Sequence, residues 1–189
     1  MAVPVIGVLA LQGDFAAHRR AFEEIGAVTQ EVRTSAELET VDALVMPGGE
    51  STTMMKLLEA EKLKGPLRLF GQTKPIFATC AGAILMAREV SHPAQESLGL
   101  VDIGVERNAY GRQVHSTVTH IKMEDGAELE AIFIRAPIIR RCGPDVHVLA
   151  RHQGDPVLVS SGRHLIATFH PELTTDRTVQ RRFLESVAQ

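Results

Sequence analysis

Val3 to Leu11, VPVIGVLAL, is an almost unbroken β-rich apolar run. A strand with water on one face alternates apolar and polar residues, whereas a strand covered on both faces has no need to, so this run fits a parallel sheet flanked by helices. It ends at QGD, where Asp14 stands ready to cap a helix carrying Phe15, Phe22 and Ile25 along one side, with Gly26 as its stop. The same order recurs downstream. VDALVMPGG is a strand running into glycines, STTMMKLLEAEKL a helix with Ser51 in the capping position, and PIFAT another strand with a helix behind it. This alternation predicts an α/β fold: an open, mostly parallel, doubly wound sheet with helices on both faces.

After about residue 100 the runs shorten and alternate, as in VDIGVERN, QVHSTVTHI, LEAIFIRAP, DVHVLARHQ and PVLVSSGRHLIATF. Much of this reads as antiparallel strand added to that sheet. A closing helix from about Asp176 to Ala188 places Val179, Phe183, Leu184 and Val187 on one face. With 189 residues and no repeat or linker, residues 1–189 are expected to form a single domain, removing roughly 70% of its extended-chain surface from water.

The net charge is -3, and no basic run exceeds a pair such as Arg19-Arg20, which argues against a nucleic-acid partner. Two cysteines, Cys80 and Cys142, make no disulfide framework, and MAVPVIGVLALQGD lacks the charged start of a signal peptide. The longest uncharged apolar stretch, Pro75 to Ala87, is interrupted by Thr79 and Gly82 and is too short to span a bilayer. A cytoplasmic protein with no membrane partner is expected.

In open α/β sheets ligands gather beyond the carboxyl ends of the strands. Four segments fall there. QGD follows the first strand and PGGES, Pro47 to Ser51, the third; its two glycines leave backbone N–H groups uncovered for an oxyanion. TCAG, Thr79 to Gly82, follows the fourth, with Cys80 at a break between an apolar run and a small-residue run, the form of a nucleophile elbow. The start of a helix also favours an anionic sulfur. Of the eight histidines, His170 follows a clear apolar strand with a carboxylate close behind, in LIATFHPEL. Pro171 holds the backbone extended or turned, so His170 and Glu172 can meet as base and orienting carboxylate. Cysteine, glycine loop and His/Glu pair together supply the roles that acyl transfer through a thioester needs. PGGES is followed by no Gly-Lys-Ser/Thr and is not a phosphate loop.

The motifs LALQGDF, PGGESTTM, TCAGAI, VERNAYGRQ, FIRAP and TFHPELT, taken in order, resemble the class I (triad) glutamine amidotransferases and, within them, the glutaminase subunits of pyridoxal 5'-phosphate synthase. The likeness runs from Val5 to Phe183. It implies that Cys80 is the nucleophile, His170 the general base and Glu172 the carboxylate that orients it. It also implies that Gly48, Gly49, Glu50 and Ala81 belong to the segments that bind glutamine and supply oxyanion-hole N–H groups, that Arg107, Ile134 and Arg135 hold the substrate, and that Gln12 supports the oxyanion loop or an interface. A carboxylate and guanidinium groups near the glycine loop would complement the α-ammonium and α-carboxylate of glutamine. The implied partner is a synthase subunit that builds pyridoxal 5'-phosphate, vitamin B6, from pentose and triose phosphates and ammonia, in a hetero-oligomeric complex. Neither cofactor nor metal is implied. One residue departs from the wider class: Ala78 stands where a glycine usually precedes the nucleophile by two.

Two other classes remain open on the residues alone. A non-catalytic binding or regulatory subunit of this fold would be expected to have lost Cys80, His170 or Glu172. A cysteine peptidase-like α/β protein usually takes its histidine directly after the cysteine, where this chain has Ala81. His115 with His120, and His147 with His152, are spaced five apart with no carboxylate set beside them, a weak pattern for a metal.

Overall fold

The computed structural model describes residues 3–109 and 116–188. The first half runs β1 (Val5–Leu9), α1 (Phe15–Glu23), β2 (Val28–Val32), α2 (Ser35–Glu39), β3 (Ala43–Met46), α3 (Ser51–Ala60), α4 (Lys64–Thr73), β4 (Ile76–Thr79) and α5 (Ala81–Met86). The second half adds β5 (Ala87–Ser91), β6 (Val101–Glu106), β7 (Ser116–Lys122), β8 (Glu128–Ile134), β9 (Ile138–Cys142), β10 (Val146–His152), β11 (Asp155–Ser161) and β12 (His164–Ala167). A single 3-10 turn, Pro171–Leu173, and α6 (Thr178–Val187) close the chain.

The main sheet has the order β10-β11-β12-β4-β3-β1-β2. From β12 to β2 all pairings are parallel, and β10 and β11 add an antiparallel edge. Side chains alternate between two apolar layers. Leu44, Met46, Ile76, Ala78 and Ile166 pack into one, with Met54 and Leu58 of α3 and Leu67 of α4. Ala43, Val45, Phe77, Leu165 and Ala167 pack into the other, with Phe22 of α1 and Phe183 of α6. Burial on both faces is why these strands read as unbroken apolar runs.

Three expectations need correction. Of the later runs, only β10 and β11 extend the main sheet antiparallel; β12 returns parallel beside β4, β5-β6-β9 form a separate three-stranded sheet, and β7-β8 a hairpin. The reason is that short alternating strands look alike in sequence whichever sheet covers their apolar face. Ser51 does not cap α3: Glu50 does, its carboxylate accepting from the backbone N–H of Thr52 at 3.0 Å and Thr53 at 2.7 Å, while the Ser51 hydroxyl donates to Gln95 Oε1 at 2.8 Å. A carboxylate reaches two N–H groups where a hydroxyl reaches one. The closing helix is also shorter than expected, because the Asp176 carboxylate turns in to accept from Thr178 N at 2.8 Å.

Asp14 does cap α1, accepting from Ala17 N at 3.0 Å, and Gly26 lies just beyond the helix. Behind Cys80, α5 sits so close to β3 that a Cβ on Gly82 would stand 2.4 Å from the Met46 carbonyl oxygen. Among the described residues no helix is long and apolar enough to cross a membrane.

Candidate active site

β12, β4, β3 and β1 are consecutive neighbours and run parallel, so their carboxyl ends lie along one edge of the sheet. Four segments far apart in the chain therefore converge: QGD after β1, PGG after β3, Cys80 after β4 and HPE after β12.

Cys80 sits between β4 and α5 with φ 48° and ψ -105°. Its backbone N–H donates to the Ala167 carbonyl at 2.9 Å, which fastens the turn to β12. A non-glycine residue held there costs on the order of 1–3 kcal/mol, a strain that folds tolerate mainly where it presents a reactive side chain. The thiol is mostly buried and its sulfur lies 3.9 Å from the Ile134 carbonyl oxygen. Ala78 is fully buried, so its methyl group fits beneath the elbow.

His170 is placed by a backbone hydrogen bond from its N–H to the Ile132 carbonyl at 2.8 Å, tying the segment after β12 to β8. Its Nδ1 lies 2.7 Å from Glu172 Oε1. Burial pushes the imidazole pKa down, but hydrogen bonds to Cys80 and to Glu172 outweigh it and raise the value to about 10. With Nδ1 engaged by Glu172, Nε2 is the nitrogen left for the thiol. Glu172 is itself almost fully buried. Burial favours its neutral form, yet the imidazoles of His18 and His170 on its flanks hold its pKa below the usual carboxylate range.

The glycine loop lies against this pair: a Cβ on Gly48 would stand 2.6 Å from His170 Cε1 and 3.2 Å from Cys80 Cβ. Gln12 braces the next residues, accepting from Glu50 N at 3.2 Å through Oε1. Gly13, at φ +85°, presses on the loop from beneath, since a Cβ there would stand 1.9 Å from the Gly48 carbonyl oxygen. Gly13→Ala is therefore expected to push the loop off Cys80 and to strain its own backbone by about 1–2 kcal/mol. The expected outcome is a fall in kcat of about 100-fold, the weight of one oxyanion donor, with a lower Tm. Steady-state kinetics and thermal unfolding of the variant check both.

Partial burial would raise the Glu50 carboxyl, but hydrogen bonds from Thr53 and Thr52 hold its pKa at about 2. It also faces Arg107, whose Nη2 is 3.4 Å from Glu50 Oε1 and 3.0 Å from Thr52 Oγ1. The side chain that the sequence suggested for substrate thus serves as the cap of α3 as well. Arg135 is exposed at the end of β8, with φ 45°, directly after the Ile134 carbonyl that faces the thiol. Ala81 opens α5 beside Cys80 and is buried. Residues 110–113 of VERNAYGRQ, and His115, lie outside the described residues.

One residue at the site escaped the sequence reading. His18, on α1, is fully buried with Nε2 3.1 Å from Thr79 Oγ1 and 3.4 Å from Glu172 Oε2. Asp14, four residues before it at the head of the helix, carried the one sequence signal there, and it reported the helix rather than the histidine.

A thiol, an imidazole with raised proton affinity and a carboxylate in line, beside a glycine loop, can attack a carboxamide and stabilise the oxyanion that forms. Fold and site together define the class, an α/β protein with a cysteine nucleophile set up for acyl transfer. The sequence profile of the SNO glutamine amidotransferase family matches residues 8–189, and the chain belongs to that family. It is 56% identical over 189 residues to the pyridoxal 5'-phosphate synthase subunit PdxT of Solibacter usitatus, covering 96% of this chain and 98% of that one. To PdxT of Thermotoga neapolitana it is 48% identical over 185 residues, covering 96% and 98%. A crystal structure of a glutamine amidotransferase superposes with a TM-score of 0.92 at 44% identity, covering both chains completely.

Proposed function

We propose that this chain, acting as one domain over residues 1–189, is the glutaminase subunit of a pyridoxal 5'-phosphate synthase. It hydrolyses L-glutamine to L-glutamate and ammonia and passes the ammonia to the partner subunit for vitamin B6 synthesis. The observation that carries the reading is the His170–Glu172 hydrogen bond at 2.7 Å, with the imidazole and Cys80 brought together against Gly48.

In this reading His170 takes the thiol proton through Nε2 while Glu172 stabilises the imidazolium. The Cys80 sulfur attacks the glutamine side-chain carbonyl carbon, and the backbone N–H groups of Gly49 and Ala81 receive the oxyanion. Collapse breaks the C–N bond as His170 returns its proton to the leaving nitrogen, giving ammonia and a γ-glutamyl thioester. Water then attacks the thioester with His170 as general base, releasing glutamate and restoring the thiol. Arg135 and Arg107 suit the α-carboxylate of glutamine, Glu50 its α-ammonium, and Ile134 and Gln12 shape and brace the pocket. A reactive thiol fits a reducing compartment, so the cytoplasm is the location we assign.

At neutral pH free ammonia is mostly protonated and has lost its nucleophilic lone pair, so delivery to a docked acceptor is favoured over release. We therefore expect glutamate release from glutamine to be slow for the isolated chain and to rise at least about tenfold when the partner subunit is added. An unchanged glutamine pool in the mixture would overturn the reading.

A further inference from the structure

Glu172 has two carboxylate oxygens, and His170 uses one of them. Oε1 is bonded to His170 Nδ1 at 2.7 Å, whereas Oε2 is fully buried and lies outside hydrogen-bond geometry with any described group. An ionised carboxylate carries charge on both oxygens and can only accept, so a buried Oε2 calls for a donor. The group that faces it is His18 Nε2, 3.4 Å away.

The surroundings of His18 decide which nitrogen bears its proton. Burial pushes its pKa down and favours the neutral ring with one N–H, against the pull of Glu172 and Asp14 the other way. Among the described residues Nδ1 is buried without a partner, while Nε2 sits between Thr79 Oγ1 at 3.1 Å and Glu172 Oε2. An imidazole facing an anion presents its N–H to it, which places the proton on Nε2. Packing fixes the ring's direction: Phe77 of β4 meets it edge-on with centroids 6.2 Å apart. Thr79, which accepts from this N–H, is the residue directly before Cys80.

We infer that His18 is a positioning residue for the reaction: its Nε2–H, held by Thr79 and facing the outer carboxylate oxygen, steadies Glu172 electrostatically and so aims His170 at Cys80. The inference rests on the glutaminase reading for the reaction it serves. It extends the line of contacts to Cys80–His170–Glu172–His18 and anchors it on α1, an element that follows β1 and not the strands bearing the other members. A neutral donor is suited to this place, since a charged one would compete with His170 for the carboxylate.

The test compares His18→Leu, His18→Gln and His18→Asn in the chain mixed with the partner subunit. Gln places an N–H at about the reach of Nε2, whereas Asn reaches only about as far as Nδ1. Leu and Asn are expected to lower kcat by about 10–100-fold, the usual weight of a group behind a reactive one, with KM within about twofold of wild type. Gln is expected to restore most of the loss. Iodoacetamide alkylation of Cys80, read by mass spectrometry, is expected to follow the same order and needs no glutamine turnover, so it reports on His18 even if the glutaminase reading fails. Should Leu prove unable to fold, as thermal unfolding would show, the Gln and Asn pair keeps the comparison. Equal kcat and equal alkylation in folded Gln and Asn variants, or wild-type values in both assays for Leu, would overturn the inference.

Discussion

A glutamine-mimicking electrophile is expected to label Cys80 and spare Cys142. Cys80 lies with His170 against Gly48 at the open ends of the strands, beside an imidazole whose proton affinity is raised. Cys142 is on β9, where burial pushes the thiol pKa up despite Arg151 and Arg141 nearby. Thiolate, not thiol, is the attacking form, which makes the two cysteines unequal. Excess glutamine should protect Cys80, because electrophile and substrate occupy the same place against Gly48. Replacing Cys80 with alanine removes the atom that bonds to substrate, and turnover is expected to fall by about 10⁴-fold or more. The fold should survive, since alanine relieves no buried polar group and leaves a small void. Peptide mapping after labelling checks the selectivity. Equal modification of both cysteines in the folded protein would defeat it.

Glu172→Gln is the second large effect. The change is nearly isosteric at an almost fully buried position, so packing is conserved while the charge and the acceptor character are altered. A glutamine amide presented to His170 can donate through its nitrogen, which makes Nδ1 the acceptor and leaves the ring's proton on Nε2, facing the thiol. An imidazole in that tautomer cannot take the thiol proton. A fall in kcat of about 10³–10⁴-fold is expected, with KM little changed because Glu172 does not reach the substrate. His170→Asn should be at least as severe, since asparagine keeps polarity but accepts no proton at neutral pH. Steady-state kinetics of both variants, with circular dichroism as a control on folding, settle the matter. Activity within tenfold of wild type for Glu172→Gln would assign the orienting role elsewhere.

Much of this was legible because two kinds of signal are local. Double-sided burial removes polar residues from β1, β3 and β4, and the resulting apolar runs announce a parallel sheet. Loops at the ends of such strands carry the chemistry, which made QGD, PGGES, TCAG and HPE stand out. The later strands were less legible: β6 to β9 alternate in the same manner as β10 and β11, yet belong to other sheets. Glu50 looked like a substrate group and is also a helix cap, because its position before α3 matters as much as its charge.

By itself the sequence determined the α/β class, the elbow at Cys80, the pairing of His170 with Glu172 two residues on, and the glycine loop, since each depends on spacing within a few residues. Tertiary structure decided the strand order β12-β4-β3-β1, which alone brings residues 12, 48, 80 and 170 to one edge, because hydrogen-bond pairing between strands leaves no mark on spacing. It also decided the place of His18. A histidine on an apolar helix face reads the same whether it is core or site, and only the parallel pairing of β1 with β3, and of β3 with β4, swings α1 around to set that ring against a carboxylate more than 150 residues away in sequence.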